Sequence, residues 1–213
     1  MKKIIYQKYD KSLIGELPRV SFNGRIVVVL SEQEANRAVE YLLSRPILGF
    51  DTETRPSFRR GHVNEVALMQ VSDERICFLF RLNLIGMLPC VVRLLEDTTV
   101  PKVGLSLHDD MMMLHRRGAF KQGWFIDLQD LVGEIGIEDR SLQKLYANIF
   151  NERIVKRQQL SNWEAPVLND KQKSYAATDA WTCIKLYQEV CRLRETGDYE
   201  WIAAEEEPAE DTK

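Results

Sequence analysis

The run Ile47-Leu48-Gly49-Phe50 is apolar, and the chain then turns acidic at alternate positions, Asp51 and Glu53, with Thr52 between them. Such a run reads as a buried strand, in which positions i and i+2 point to one face. The fold must therefore set two carboxylates side by side at the end of a core strand. They repel each other and resist burial, so the site needs a cation or water in compensation. A hard divalent metal would provide it. Tyr175 and Asp179 lie four apart in a segment of helical periodicity and also share a face. Asp110 offers a fourth carboxylate.

The surrounding pattern predicts a mixed α/β sheet flanked by helices. Arg25–Leu30 reads as a strand, and Ser31-x-x-Glu34 is a capping-box signature for a helix to about Ser44, closed by Pro46. After the strand at 47–51 comes a polar loop at 54–64. Two β-rich runs, 65–71 and 75–80, follow, with Ser72-Asp73-Glu74 as a hairpin connector. Three consecutive antiparallel strands are expected there. Helix 87–96, strand 101–105, helix 106–117 and strand 124–127 then alternate like βα units on a parallel edge. Helices are predicted at about 128–136, 141–150 and 170–196.

The 213 residues fit one domain with a substantial core. Residues 1–24, with Pro18 and Asn23-Gly24, read as an extension laid over the domain surface. The main domain is expected to span 25–202. Residues 203–213 hold five acids against Lys213 and read as a disordered acidic tail, which leaves the body close to neutral within a net charge of −3. That balance lacks the basic footprint of tight duplex binding. Arg55, Arg59 and Arg60 would suffice to grip a few nucleotides, although such a run equally reads as a solvated loop. The four cysteines form no C-x-x-C pair, three sit in apolar segments, and they read as reduced core residues. No apolar run is long enough for a signal peptide or a membrane span. A soluble, cytoplasmic setting without a membrane is the expectation.

In order along the chain, Phe50-Asp51-Thr52-Glu53, Val103-Gly104-Leu105-Ser106-Leu107-His108-Asp109-Asp110 with Leu114, and Tyr175-Ala-Ala-Thr-Asp179 resemble the three motifs of the DEDD 3′-5′ exonuclease superfamily. The likeness is to its tyrosine-containing branch, with ribonuclease D and the Werner-type exonuclease domain as relatives, and it covers roughly residues 25–195. Ser161-Asn162-Trp163 resembles the segment leading into the third motif of Werner-type domains. Between the adjacent acids, Asp110 falls in one helical arc with Leu107, Met111 and Leu114, whereas Asp109 lies about 100° away. The family's Asp, three residues, Leu spacing also selects Asp110.

The resemblance implies a ribonuclease H-like fold and two divalent ions, Mg²⁺ or Mn²⁺, held by Asp51, Glu53, Asp110 and Asp179. It also implies hydrolysis of terminal phosphodiesters of nucleic acid, at a single-stranded or recessed 3′ end, to nucleoside 5′-monophosphates. Tyr175 is implied to orient the attacking water; an ordinary phenol with a pKa of about 10 is a poor base at neutral pH. The Werner-like segment tilts the expected polymer toward DNA. Thr52, Phe58, Arg59 and Trp163 are candidate substrate contacts, with Phe58 and Trp163 stacking on a base; Trp163 equally reads as a core residue. Asp127 reads as a helix N-cap, and Met111-Met112-Met113 as core with one exposed member. The alternative reading is a catalytically weak nucleic-acid-binding protein, or a nuclease subunit whose substrate is set by an unknown protein partner, on the same fold.

Overall fold

The computed structural model describes residues 2–57, 61 and 63–204. The elements in chain order are β1 (Lys3–Tyr6), β2 (Arg25–Val29), α1 (Glu32–Leu42), β3 (Leu48–Thr54), β4 (Val66–Ser72), β5 (Ile76–Phe80), α2 (Leu82–Ile85) and α3 (Pro89–Glu96). They continue with β6 (Lys102–Gly104), α4 (Leu107–His115), β7 (Phe125–Asp127), α5 (Leu128–Glu134), α6 (Leu142–Phe150), α7 (Asp170–Thr196) and β8 (Tyr199–Ile202). Short 3₁₀ turns lie at Lys11–Glu16 and Lys156–Gln158.

Six strands form the main sheet in the order β2-β5-β4-β3-β6-β7. The expected antiparallel trio is present: β3 pairs antiparallel with β4, and β4 with β5. On one side β6 and β7 extend the sheet in parallel from β3. On the other, β2 pairs parallel with β5, a placement that local sequence does not reveal. The sheet is mixed and flanked by helices, as a ribonuclease H-like fold requires.

Local chemistry sets the element ends. Ser31 Oγ accepts from the Glu34 amide at 3.3 Å, while Glu34 Oε2 takes the Leu30 amide at 2.8 Å, one residue earlier than in a strict capping box. Ala35, Ala38, Val39 and Leu42 then form the buried stripe of α1. Helix α7 opens with a complete capping box, Asn169 and Gln172 exchanging bonds of 3.0 and 3.1 Å, and closes at Gly197 with φ of 65°.

Strand β3 runs through to Thr54, so Asp51 and Glu53 sit within the strand and not at its end. Alternation sends Leu48 and Phe50 into the core layer shared with α1 and α3. The other face turns toward α7. Gly49 marks the crossing: a Cβ there would stand 1.9 Å from the Ala180 carbonyl oxygen. This close approach lays α7 against the β3 positions that carry the acids.

The terminal strands fall outside the sequence expectation. Lys3–Tyr6 pairs in parallel with Tyr199–Ile202 as a separate two-stranded sheet, and Ile5 is buried in the core beside α6 and α7. Asn148 fastens the pair by receiving the Tyr6 amide at 2.9 Å and donating to the Tyr6 carbonyl at 2.7 Å. No helix among the described residues is long and apolar enough to cross a membrane. Cys77, Cys90 and Cys183 are buried free thiols and Cys191 is half-buried.

Candidate active site

Strand β3 and helix α7 bring three predicted acids together. Ligand oxygens of Asp51, Glu53 and Asp179 all lie within 4.8 Å of one another. Asp110 approaches from α4, and Thr52 Oγ1 donates a hydrogen bond to its carboxylate. Thr52, between the two β3 acids, is thus the link to the fourth. Asp109 is exposed, whereas Asp110 is half-buried.

The start of α4 is held by Asp127. Its carboxylate accepts from the Ser106 and Leu107 amides at 3.0 and 2.8 Å and from Gln129 N at 2.9 Å, so one side chain caps α5 and anchors α4. Ser106 has the left-handed φ of 59°, which the anchoring sustains. The N-cap reading of Asp127 holds, with this second duty added. Of the three adjacent methionines, Met111 is buried, Met113 half-buried and Met112 exposed.

Tyr175 lies one helical turn before Asp179, and the phenol and carboxylate face each other closely enough to shift one another's proton affinity. Its ring is packed against Trp163, centroids 6.1 Å apart. Trp163 is fully buried, 0 % exposed, and its indole N–H donates to the Gln159 carbonyl at 3.3 Å. The stacking expectation for Trp163 does not fit this placement: neither face is open to a base, and the ring instead backs Tyr175. The other stacking candidate, Phe58, and the cations Arg59 and Arg60 lie outside the described residues. Arg55 pairs with Glu164 at 3.1 Å, joining the segment after β3 to the Trp163 loop.

Burial dominates the electrostatics. It raises Asp51 well above the usual carboxylate range, reinforced by Asp110 and Asp179. Glu53 is pushed up to about 10 by burial and then by Asp51. Asp110 rises to about 7 through burial, opposed by the Thr52 hydrogen bond. Asp179 also rises to about 7 through burial, opposed by Tyr175 and Lys156. The Tyr175 phenol is pushed up by burial, then by the Asp179 and Glu53 charges. It is therefore a hydrogen-bonding group and not a base at neutral pH.

The cluster fits a hard cation on two independent counts. Any two of these carboxylates, if both ionised no more than 4.8 Å apart, would repel by roughly 3 kcal/mol or more at an effective dielectric of about 20. In addition, Asp179 Oδ1 is buried without a hydrogen-bond partner. An all-oxygen donor set suits a hard divalent cation over softer metals. A cavity of about 330 Å³ opens over the acids, and Arg140, Gln143 and Lys156 complete its wall. Lys156 Nζ is 3.0 Å from Ser141 Oγ. These three polar residues escape a sequence reading because they come from a helix start and a 3₁₀ turn with no motif of their own.

A mixed sheet whose central strand carries paired acids, completed by a helix bearing Tyr and Asp one turn apart, is the ribonuclease H-like fold. The chain belongs to the 3′-5′ exonuclease family, whose model matches residues 26–193, and so to the DEDD superfamily of hydrolases acting on nucleic acid. It is 36% identical over 180 residues to the fruit-fly (Drosophila melanogaster) exonuclease 3′-5′ domain-containing protein 2, covering 79% of this chain and 30% of that protein. It is 29% identical over 198 residues to the mouse (Mus musculus) bifunctional 3′-5′ exonuclease/ATP-dependent helicase WRN, covering 88% of this chain and 14% of that protein. The chain thus spans less than a third of either relative. Two solved structures share the fold. The Aedes aegypti Nibbler EXO domain has a TM-score of 0.75 at 18% identity, covering 85% of this chain and 95% of that one. Escherichia coli RNase D has a TM-score of 0.68 at 19% identity, covering 84% and 52%.

Proposed function

We propose that this chain hydrolyses the terminal phosphodiester at the 3′ end of a nucleic-acid strand by a two-metal mechanism, releasing nucleoside 5′-monophosphates. The convergence of Asp51, Glu53 and Asp179, with Asp110 held alongside by Thr52, carries the proposal. Asp51, Glu53 and Asp179 would hold one divalent ion, and Asp51 with Asp110 the second. Bound ions supply acidification of the attacking water and neutralisation of charge on the attacking and leaving oxygens.

The protein's own groups do the positioning. Tyr175 keeps its proton, so its hydroxyl orients the water by hydrogen bonding, while Trp163 holds the ring in place. Arg140 and Lys156, on the remaining wall of the cavity, offer positive charge to substrate phosphates. Residues 25–202 would carry the catalytic machinery, with β1 of the preceding segment packed onto them through Ile5 and 203–213 as a flanking segment. A reducing, cytoplasmic-type compartment suits its free thiols.

The resemblance of Ser161-Asn162-Trp163 to the Werner-type segment favours DNA over RNA as substrate. A Trypanosoma brucei RNase D of the same fold is in complex with RNA U12, so the polymer must be tested directly. Matched 5′-labelled DNA and RNA, single-stranded and recessed, are incubated with the protein in Mg²⁺, Mn²⁺ or EDTA. A metal-dependent ladder shortening from the 3′ end, faster on DNA, is the expected result. No shortening of any substrate by folded, metal-supplied protein overturns the proposal.

A further inference from the structure

Among the described residues, the buried side-chain atoms without a hydrogen-bond partner are Asp179 Oδ1 and both polar atoms of one glutamine, Gln70 Nε2 and Oε1. A bound cation would account for the first. The glutamine needs a separate account, because a buried amide with neither donor nor acceptor satisfied is disfavoured unless a function retains it.

Gln70 is 0 % exposed and lies in β4, a strand buried along its whole length from Val66 to Ser72. Its register partner across the β3–β4 ladder is Asp51. Directly opposed residues of an antiparallel pair share a face, with Cβ atoms about 4.5–5.5 Å apart, within reach of a glutamine side chain. Its partner on the other side is Leu79 of β5, and Leu68, two residues back in β4, is equally apolar. Of its two directly opposed ladder partners Asp51 alone offers a polar side chain; Ser72, two residues on in β4, spends its hydroxyl on the Asp73 and Ile76 carbonyls, and Glu53 lies on the diagonal.

We infer that Gln70 is a positioning residue for Asp51, its amide N–H donating to the carboxylate oxygen turned away from a bound ion and fixing the other oxygen on the metal. This rests on the reading of Asp51 as a metal ligand. A ligating carboxylate has lone pairs directed away from the metal, and groups that hydrogen-bond to them orient the ligand and tune its affinity. The chemistry of the position selects an amide. Another acid would add negative charge to an already crowded cluster, and a lysine would compete with the metal for the same carboxylates. Glutamine donates a hydrogen bond with no net charge.

The test uses Gln70→Met, which keeps the volume, and Gln70→Leu. Thermal melts are recorded in EDTA and across a Mn²⁺ titration, with calorimetric Mn²⁺ binding alongside. The expected result is an EDTA melt that is unchanged or higher, since two unpartnered polar atoms are gone, with a Mn²⁺ midpoint raised about 10–100-fold. A Mn²⁺ midpoint equal to wild type overturns the inference. So does loss of folding by both variants in EDTA, which would assign the amide to the fold and not to the site. Wild-type protein that shows no Mn²⁺ response at all overturns instead the metal reading of Asp51, so the two failures are distinguishable.

Discussion

Asp179→Asn is expected to stabilise the metal-free protein while abolishing its activity. In wild type without metal, Asp179 shares a 4.8 Å cluster with Asp51 and Glu53, and burial raises its pKa to about 7. The unfolded chain releases the same proton near pH 4. Between those values the folded state binds more protons than the unfolded one, so stability falls as pH rises through the window. A difference of about 3 units corresponds to roughly 4 kcal/mol lost by pH 8. The neutral amide keeps the shape and removes the titration. Urea unfolding in EDTA should therefore show Asp179→Asn more stable than wild type by about 2–4 kcal/mol at pH 8, less than about 2 kcal/mol at pH 5, and nothing below pH 4. Adding Mn²⁺ should reverse the order, because wild type gains binding energy that the variant lacks. A variant less stable than wild type in EDTA at pH 8, or an advantage independent of pH, would refute the reasoning.

Three further outcomes are expected. Tyr175→Phe should lower kcat by about 10²-fold with little change in KM or in the Mn²⁺-induced melting shift, because the ring stays packed on Trp163; steady-state kinetics with a melt check this. Asp127→Ala removes the cap of α5 and the acceptor for the Ser106 and Leu107 amides. It should cost about 1–3 kcal/mol in urea unfolding, and activity should fall as Asp110 loses its anchored helix. Gly49→Ala places a methyl group 1.9 Å from the Ala180 carbonyl oxygen. The strand and α7 must separate, at about 3 kcal/mol or more, and Mn²⁺ affinity should fall with stability; equal melting of variant and wild type would contradict the packing described.

The site's framework is legible in the sequence where periodicity is strong. Alternation alone puts Asp51 and Glu53 on one face of β3, and helical spacing puts Tyr175 under Asp179 and turns Asp110, not Asp109, inward. The limits of α7 follow from its punctuation, Asn169 at one end and Gly197 at the other. What escapes is long-range. Strands β1 and β8 are four residues each, largely exposed, and paired across almost the whole chain, so neither announces itself locally. The parallel pairing of β2 with β5 has no short-range signal either. Trp163 looks like a base platform by residue type, but packing against Tyr175 decides its role. Gln70 did leave a trace, a lone amide in the otherwise apolar run Val66–Val71, and its meaning emerges only with the register that sets it opposite Asp51.

The most direct measurement is anomalous diffraction from crystals of the protein soaked with Mn²⁺ and a nucleoside 5′-monophosphate. Two manganese peaks, one among Asp51, Glu53 and Asp179 and one between Asp51 and Asp110, with the phosphate spanning them and the Tyr175 hydroxyl facing it, are the expected result. Absence of manganese from the carboxylate cluster, or binding of the nucleotide elsewhere, would contradict the account.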